Sequence, residues 1–188
     1  SDTVWDIAFG DDGRLLAVAT AGEDNVVRLV RTSDGEDVIA PIKHNDIVST
    51  IALSADDRWL ATGSADGSTR LVNLASQETY TFTNSDEVFS VAFSSDSRLL
   101  ATASRDGFGC LIDIRTRRQA CSIRDQAPVW RLAFSPDNRW LATGTRNGVV
   151  RLIDTDSGKD VVDPIEHGGA IFSVAFSADG RWLATGSG

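Results

Sequence analysis

Short apolar stretches alternate with polar turns along this chain, and the alternation itself recurs. Aligned on their apolar positions, five stretches share one pattern: VWDIAFGDDGRLLAVAT from Val4, VSTIALSADDRWLATGS from Val48, VFSVAFSSDSRLLATAS from Val88, VWRLAFSPDNRWLATGT from Val129 and IFSVAFSADGRWLATGS from Ile171. Their starts lie 44, 40, 41 and 42 residues apart. Self-similarity at such a period marks a repeat architecture, in which each unit buries its apolar face against its neighbours. The repeats run over 4–47, 48–87, 88–128, 129–170 and a truncated 171–188.

Each repeat predicts four short strands. The first is rich in β-formers, as in Val88 to Phe93. A turn follows in every copy: Asp12-Gly13, Asp56-Asp57, Asp96-Ser97, Asp137-Asn138 and Asp179-Gly180. These residues tolerate left-handed backbone or bond their own chain. The second strand is LLAVAT, WLATGS or LLATAS, and a second turn follows at Asp66-Gly67, Asp106-Gly107 or Asn147-Gly148. The third strand is VRLV, TRLV, CLID or VRLID, and a polar turn leads to a weaker fourth strand such as Lys159 to Ile165. The first two strands are apolar at nearly every position, as strands covered on both faces are. Sheets stacked around an axis satisfy this. Ala8, Ala52, Ala92, Ala133 and Ala175 recur where the innermost strand must narrow. Pro41 and Pro164 fall in the fourth strand, the outer edge, where a missing N–H is tolerated.

This spacing and pattern resemble the WD-repeat β-propeller family, whose blades are four-stranded sheets of about 40–45 residues. The shared residues follow VxSVAFSPDGxxLATGSxDGxVRLxD in all but a few places, over residues 4 to 188. The expected fold is all-β: a β-propeller segment of four-stranded antiparallel blades, four blades plus the first two strands of a fifth, as one partial propeller over 1–188. The chain departs from the family where a Trp precedes the third-strand Asp. Val30, Val72, Ile112 and Ile153 stand there, and Arg31 and Asn73 replace that Asp in the first two copies. This looks like the bacterial type of the repeat. The resemblance also implies a buried hydrogen-bonded network in each blade. Its matching positions are His44 and His167, four residues before a repeat start, and the pairs Ser64 with Asp66, Ser104 with Asp106, and Thr145 with Asn147. Asn84 and Asp125 replace the His in other copies. Each network lacks its Trp, so apolar packing is expected at that end.

Composition narrows the function. The 188 residues carry 18 basic and 27 acidic side chains, a formal net charge of −9. That opposes nonspecific nucleic-acid binding, which needs a basic surface to displace counterions, and an anionic membrane surface. No run of eighteen apolar residues exists, and the N-terminal SDTVWDIAFGDDG lacks the features of a signal peptide. Cys110 and Cys121 lack the count and spacing of a disulfide framework or zinc site, which fits two reduced thiols in a cytoplasmic protein.

No nucleophile elbow, phosphate loop or metal-ligand motif is present, so the expectation is no enzyme, no cofactor and no metal. Arg14, Arg58, Arg98, Arg139 and Arg181 follow the first turn in every copy and are expected to pair with the turn carboxylates. In the family, the usual docking face carries the fourth-to-first and second-to-third strand loops. Its contact positions are the second residue of the first strand, the residue two before that, and the one before the second turn's Asp. Carried over, the second residues are Trp5, Ser49, Phe89, Trp130 and Phe172. The preceding residues are Thr3, Ile47, Glu87, Pro128 and Ala170, and the turn residues are Ala65, Arg105 and Arg146. Aromatics and Arg are the residue types of binding hot spots. The expected protein-binding residues are therefore Trp5, Phe89, Arg105, Trp130, Arg146 and Phe172. Trp59, Trp140 and Trp182 open the second strand, alternate with Leu15 and Leu99, and are expected to pack.

Three functions are open at this point. The first is a non-catalytic scaffold or recognition module that binds a protein or peptide on its loop face, within a longer signalling or sensor protein. The second is a self-assembling propeller segment, natural or engineered. In either, the remaining blades come from a longer chain or from other copies. The third is a small-ligand sensor or enzyme using the axial channel, where Asp6 and Arg131 alone break the small or apolar pattern.

Overall fold

The computed structural model describes residues 3–22 and 24–188. Every regular element among the described residues is a strand. The first sheet holds β1 (Thr3–Phe9), β2 (Leu15–Ala21), β3 (Val26–Arg31) and β4 (Ile42–Lys43). The second holds β5 (Val48–Leu53), β6 (Trp59–Ser64), β7 (Ser68–Asn73) and β8 (Thr79–Thr83). The third holds β9 (Val88–Phe93), β10 (Leu99–Ser104), β11 (Phe108–Asp113) and β12 (Arg118–Arg124). The fourth holds β13 (Val129–Phe134), β14 (Trp140–Thr145), β15 (Val149–Asp154) and β16 (Ile165–Glu166), and the fifth β17 (Ile171–Phe176) and β18 (Leu183–Ser187). Within each sheet, strands run in chain order and pair antiparallel. First strands pack in succession, β1 on β5, β5 on β9, β9 on β13 and β13 on β17, so the sheets form an arc of propeller blades.

The hairpin between the first and second strand is closed by one device. Ser54, Ser94, Ser135 and Ser177 each donate a hydroxyl to the Asp two residues on, at 2.6 Å. The same hydroxyls accept the N–H of Trp59, Leu99, Trp140 and Trp182 at 2.9–3.0 Å. Asp57, Ser97 and Asn138 take the left-handed backbone these turns need, with φ of 52°, 57° and 61°. The arginines after the turns mostly do not pair with its carboxylates through their side chains. Among the described residues, only Arg14 with Asp12 (3.4 Å) and Arg58 with Asp56 (3.9 Å) do so. What repeats is the backbone N–H of all five arginines on the turn Asp, at 2.8–3.2 Å. The carboxylate is already held by Ser in four copies, so the guanidinium is left over.

The third-to-fourth turn also repeats. The N–H of Gly35, Gln77, Arg117 and Gly158 donates to the carbonyl four residues back, on Arg31, Asn73, Asp113 and Asp154. All four residues have positive φ, 75°, 59°, 59° and 68°. The fourth strand then differs between blades. In the second and third it is five and seven residues long. In the first and fourth it shrinks to two residues, and Pro41 and Pro164 stand just before it rather than within it. A proline cannot donate to the ladder, so pairing starts only after it.

The core lies between sheets. Leu29, Val48, Leu60 and Val72 are buried at the first join; Leu71, Val88, Leu100 and Ile112 at the second; Leu111, Leu141 and Ile153 at the third. Burying each such side chain contributes about 1.5–3 kcal/mol. Val72, Ile112 and Ile153 occupy the position of the missing Trp and are at most 2% exposed, so apolar packing fills that end. Gly63 and Gly144 mark close approaches between neighbouring sheets. A Cβ on them would meet Val88 Cγ1 at 2.6 Å and Ile171 Cγ2 at 2.5 Å. The end faces of the arc are exposed: Ile7 and Phe9 on the first blade are 56% and 61% accessible. Trp59 packs on Tyr80 of β8, ring centroids 6.3 Å apart, and Trp140 is half-buried. Trp182 departs from the expected packing and is 70% exposed, because the two-stranded fifth sheet offers no strand in the place of β8.

Candidate protein-binding rim

The pairing of first and second strands slips by one residue at the same place in all five sheets. Val4 pairs with Thr20 and Asp6 with Ala19; Val88 pairs with Ser104 and Ser90 with Ala103. The same shift falls between Val48 and Thr50, Val129 and Arg131, and Ile171 and Ser173. The skipped residue is Trp5, Ser49, Phe89, Trp130 or Phe172. A bulge of this kind frees one residue from the ladder and re-aims its side chain. The five expected contact positions are thus the five bulged residues.

The other two contact positions meet the bulge by backbone pairing. The N–H of Ala65, Arg105 and Arg146 donates to the carbonyl of Ile47, Glu87 and Pro128, at 2.8–2.9 Å. The second, third and fourth blades therefore each present a residue before the first strand, a bulged residue and a turn residue at one point of the rim. The bulged rings form a continuous run. Phe89 meets Trp130 edge-on with centroids 6.5 Å apart, and Trp130 lies 5.5 Å from Phe172. Phe89 and Trp130 are half-buried, while Trp5 and Phe172 are 56% and 53% exposed. Arg105 lies 3.9 Å from Glu87, which also accepts the Ser49 hydroxyl at 3.4 Å. Arg146 is exposed beside this run, with no carboxylate within 4 Å among the described residues. A cavity of about 470 Å³ opens between Trp5, Ser49, Glu87 and Phe89, and extends down to Asp6 and Arg131.

Those two charged groups are committed to joining blades. Asp6 Oδ2 accepts the Ile51 N–H of the second sheet at 2.8 Å. Arg131 Nε donates to the Phe172 carbonyl of the fifth at 2.9 Å. Thr50, at the same strand position, accepts the Val91 N–H at 3.4 Å.

The network residues sit at the roots of the same loops. His44 Nε2 lies 2.8 Å from Thr62 Oγ1, and Nδ1 lies 3.2 Å from Ser68 Oγ. Ser68 gives its proton to Asp66 at 2.6 Å. Nδ1 of His44 therefore donates to Ser68, and Nε2 accepts from Thr62. Burial and then the Arg70 charge lower the His44 pKa to about 4, so the ring is neutral. Ser64 meets Asp66 through the backbone, its hydroxyl accepting the Asp66 N–H at 3.2 Å and donating to the Asp46 carbonyl at 3.1 Å, so the side-chain link from His44 to the Asp66 carboxylate is Ser68. In the third blade Ser104 does bond the Asp106 carboxylate, and in the fourth Thr145 donates to Asn147 Oδ1 at 2.6 Å.

The threonine partner went unrecognised in the sequence, although its spacing is regular. His167 pairs with Thr185 at 3.0 Å and Asp125 with Thr143 at 3.3 Å, each 18 residues apart like His44 and Thr62. The fourth such pair, Asn84 and Thr102, is not formed. The shorter Asn84 side chain turns back to Thr69 at 3.1 Å and the Gly67 carbonyl at 3.2 Å. Thr102 Oγ1 is left buried without a partner.

Two comparisons bear on this arrangement. The chain is 35% identical over 85 residues to the intraflagellar transport protein 122 homolog of Xenopus tropicalis, a match covering 45% of this chain and 7% of that protein. The sequence profile of the family described as "WD domain, G-beta repeat" matches residues 1–30, 38–73, 76–113, 118–154 and 160–188. With that match running through all five sheets, the chain belongs to the WD domain, G-beta repeat family.

Proposed function

We propose that this chain is a non-catalytic docking scaffold whose bulged rim binds a protein or peptide. WD-repeat proteins are in general non-catalytic interaction scaffolds, and the frog relative is named as a transport protein. The observation that carries the reading is the ring run Phe89–Trp130–Phe172 with Arg105 and Arg146 beside it. Trp5 extends the same rim past Ser49. Aromatic side chains and arginines held at the centre of a face are the usual anchors of binding energy. A net charge of −9 supports a protein partner over nucleic acid or an anionic membrane. Both thiols are free and face different joins, Cys110 the second and Cys121 the third, which supports a reducing, cytoplasmic setting.

A phage-displayed random peptide library panned on the purified chain tests the rim. Selected peptides should carry an apolar anchor and lose at least about tenfold in affinity, about 1.4 kcal/mol, on Trp130→Ala or Arg146→Ala. Peptides that bind both variants as tightly as the parent would place the docking surface elsewhere.

The exposed Ile7, Phe9 and Trp182 favour one addition: further blades, from a longer chain or from other copies, cover the two end faces. Sedimentation velocity distinguishes the sources. A concentration-dependent larger species indicates other copies, and a persistent monomer points to a longer chain.

A further inference from the structure

The rim opposite the bulges carries the third-to-fourth turns, and one of the four differs from the rest. The first blade's turn reads Ser33-Asp34-Gly35-Glu36-Asp37, the second's Ala75-Ser76-Gln77-Glu78, and the fourth's Asp156-Ser157-Gly158-Lys159-Asp160. In the third blade the same positions read Arg115-Thr116-Arg117-Arg118. All three arginines are exposed. Arg98 joins them, because the Ile114 N–H binds its carbonyl at 2.9 Å, and it too is exposed. None of the four has a carboxylate within 4 Å among the described residues. Asp113, close enough to Arg115 and Arg98 to feel their charge, accepts the Thr116 N–H at 2.6 Å and closes the turn. Four like charges without ion-pair partners repel one another, so the fold gains nothing from the cluster whereas an acidic partner would.

Arg117 strengthens the case. It holds a φ of 59° where two of the other three copies use glycine, a conformation that carries a cost for a residue with a Cβ. Its guanidinium lies over the Tyr80 ring of the neighbouring blade, 4.2 Å from the centroid. Tyr80 in turn packs on Trp59 and donates its hydroxyl to Glu78 at 2.6 Å. The stack Trp59–Tyr80–Arg117 fixes one arginine as a platform, and Arg115 and Arg118 flank it.

We propose that this corner, between the second and third blades, is a second docking site that takes a short acidic segment of a partner protein. Guanidinium groups bind carboxylates in paired, planar geometry, and the Tyr80 face orients the central one. The footprint is one turn wide. The second blade's turn carries Glu78 on one side and the fourth's carries Asp154, Asp156 and Asp160 on the other, which repel a long polyanion such as nucleic acid while leaving room for a few side-chain carboxylates.

Fluorescence anisotropy with labelled hexaglutamate tests this. Hexaglutamate should bind the parent chain, weaken severalfold between about 50 and about 200 mM salt, and lose at least tenfold on Arg115→Ser/Arg117→Gly/Arg118→Ser. Glycine suits the backbone at 117, and the single Arg115→Glu variant should give a loss in the same direction with the fold intact by circular dichroism. Trp130→Ala should leave hexaglutamate binding unchanged, which separates this site from the bulged rim. No hexaglutamate binding, equal binding by the triple variant, or tighter binding of a single-stranded DNA oligonucleotide through the same arginines would each overturn the proposal.

Discussion

His44 Nε2 and the Thr62 hydroxyl, 18 residues apart in the chain, lie 2.8 Å apart at the join between the first and second blades. The same spacing recurs from Asp125 to Thr143 and from His167 to Thr185 and fails only between Asn84 and Thr102 among the described residues. An unpartnered buried hydroxyl carries a desolvation cost that its bonded counterparts do not. Asn84→His places an imidazole where it reaches Thr102 as His44 reaches Thr62. The variant gives up the Asn84 bonds to Thr69 and the Gly67 carbonyl while satisfying the buried Thr102 hydroxyl, a net gain of under about 1 kcal/mol that should raise the melting temperature by up to roughly 2–4 °C. An unchanged or lower melting temperature would show that the lost bonds outweigh the new one.

His44 makes stability depend on pH. Its folded pKa is lowered from 6.5 to about 4, by burial first and by Arg70 second. Between those values the unfolded chain binds a proton that the folded chain does not, so stability falls as the solution is acidified. The contribution is fully present above pH 6.5 and is lost down to about pH 4; at about 1.36 kcal/mol per unit it amounts to roughly 3 kcal/mol. Urea unfolding at a series of pH values reads this slope directly. His44→Gln should remove most of it, and a slope unchanged by that substitution would assign the proton to another group.

Two arginine–aspartate pairs of like geometry should differ in worth. Arg28 holds Asp37 through two bonds of 3.0 Å, and Arg151 holds Asp160 through bonds of 2.9 and 3.1 Å. The Arg28 pair is solvated. Arg151, however, also binds Asp125 at 3.2 Å, a carboxylate only 3% exposed. Burial raises the Asp125 pKa, and Arg151 opposes that rise. Arg28→Met should change stability by less than about 1 kcal/mol, whereas Arg151→Met should cost about 3 kcal/mol by stranding a buried charge. Adding Asp125→Asn to Arg151→Met should recover most of that loss in urea unfolding. Equal losses for the two single variants would mean that Asp125 finds another counter-charge.

Local chemistry made the blades readable. Each Ser-x-Asp hairpin is written in residues next to one another, and the turn residues declare their backbone, as Asn138 does at φ 61°. The difference between Trp140 and Trp130 was also visible, because one alternates with Leu and the other with Ser and Phe across copies. The bulge under Trp130 was not visible. Register belongs to two strands jointly, and no residue type in VWRLAF announces that one position is skipped. The fate of Trp182 was equally hidden, since it depends on the strand that Tyr80 supplies elsewhere. Ser64 and Thr62 both sit in the second strand, and only the direction of the His44 ring decides between them.

The slip in strand pairing has a consequence for how such a surface changes. A residue in the ladder answers to a partner across the sheet and to a neighbouring blade, so its replacement disturbs both. The skipped residue has no ladder partner and meets its neighbours at the rim, as Trp130 meets Phe89 and Phe172, and the five copies hold Trp, Ser, Phe, Trp and Phe there over the same backbone. The fold thus keeps five interchangeable sockets beside a fixed frame. Recognition can be rewritten one socket at a time, by inheritance or by design, while the frame that displays it stays the same.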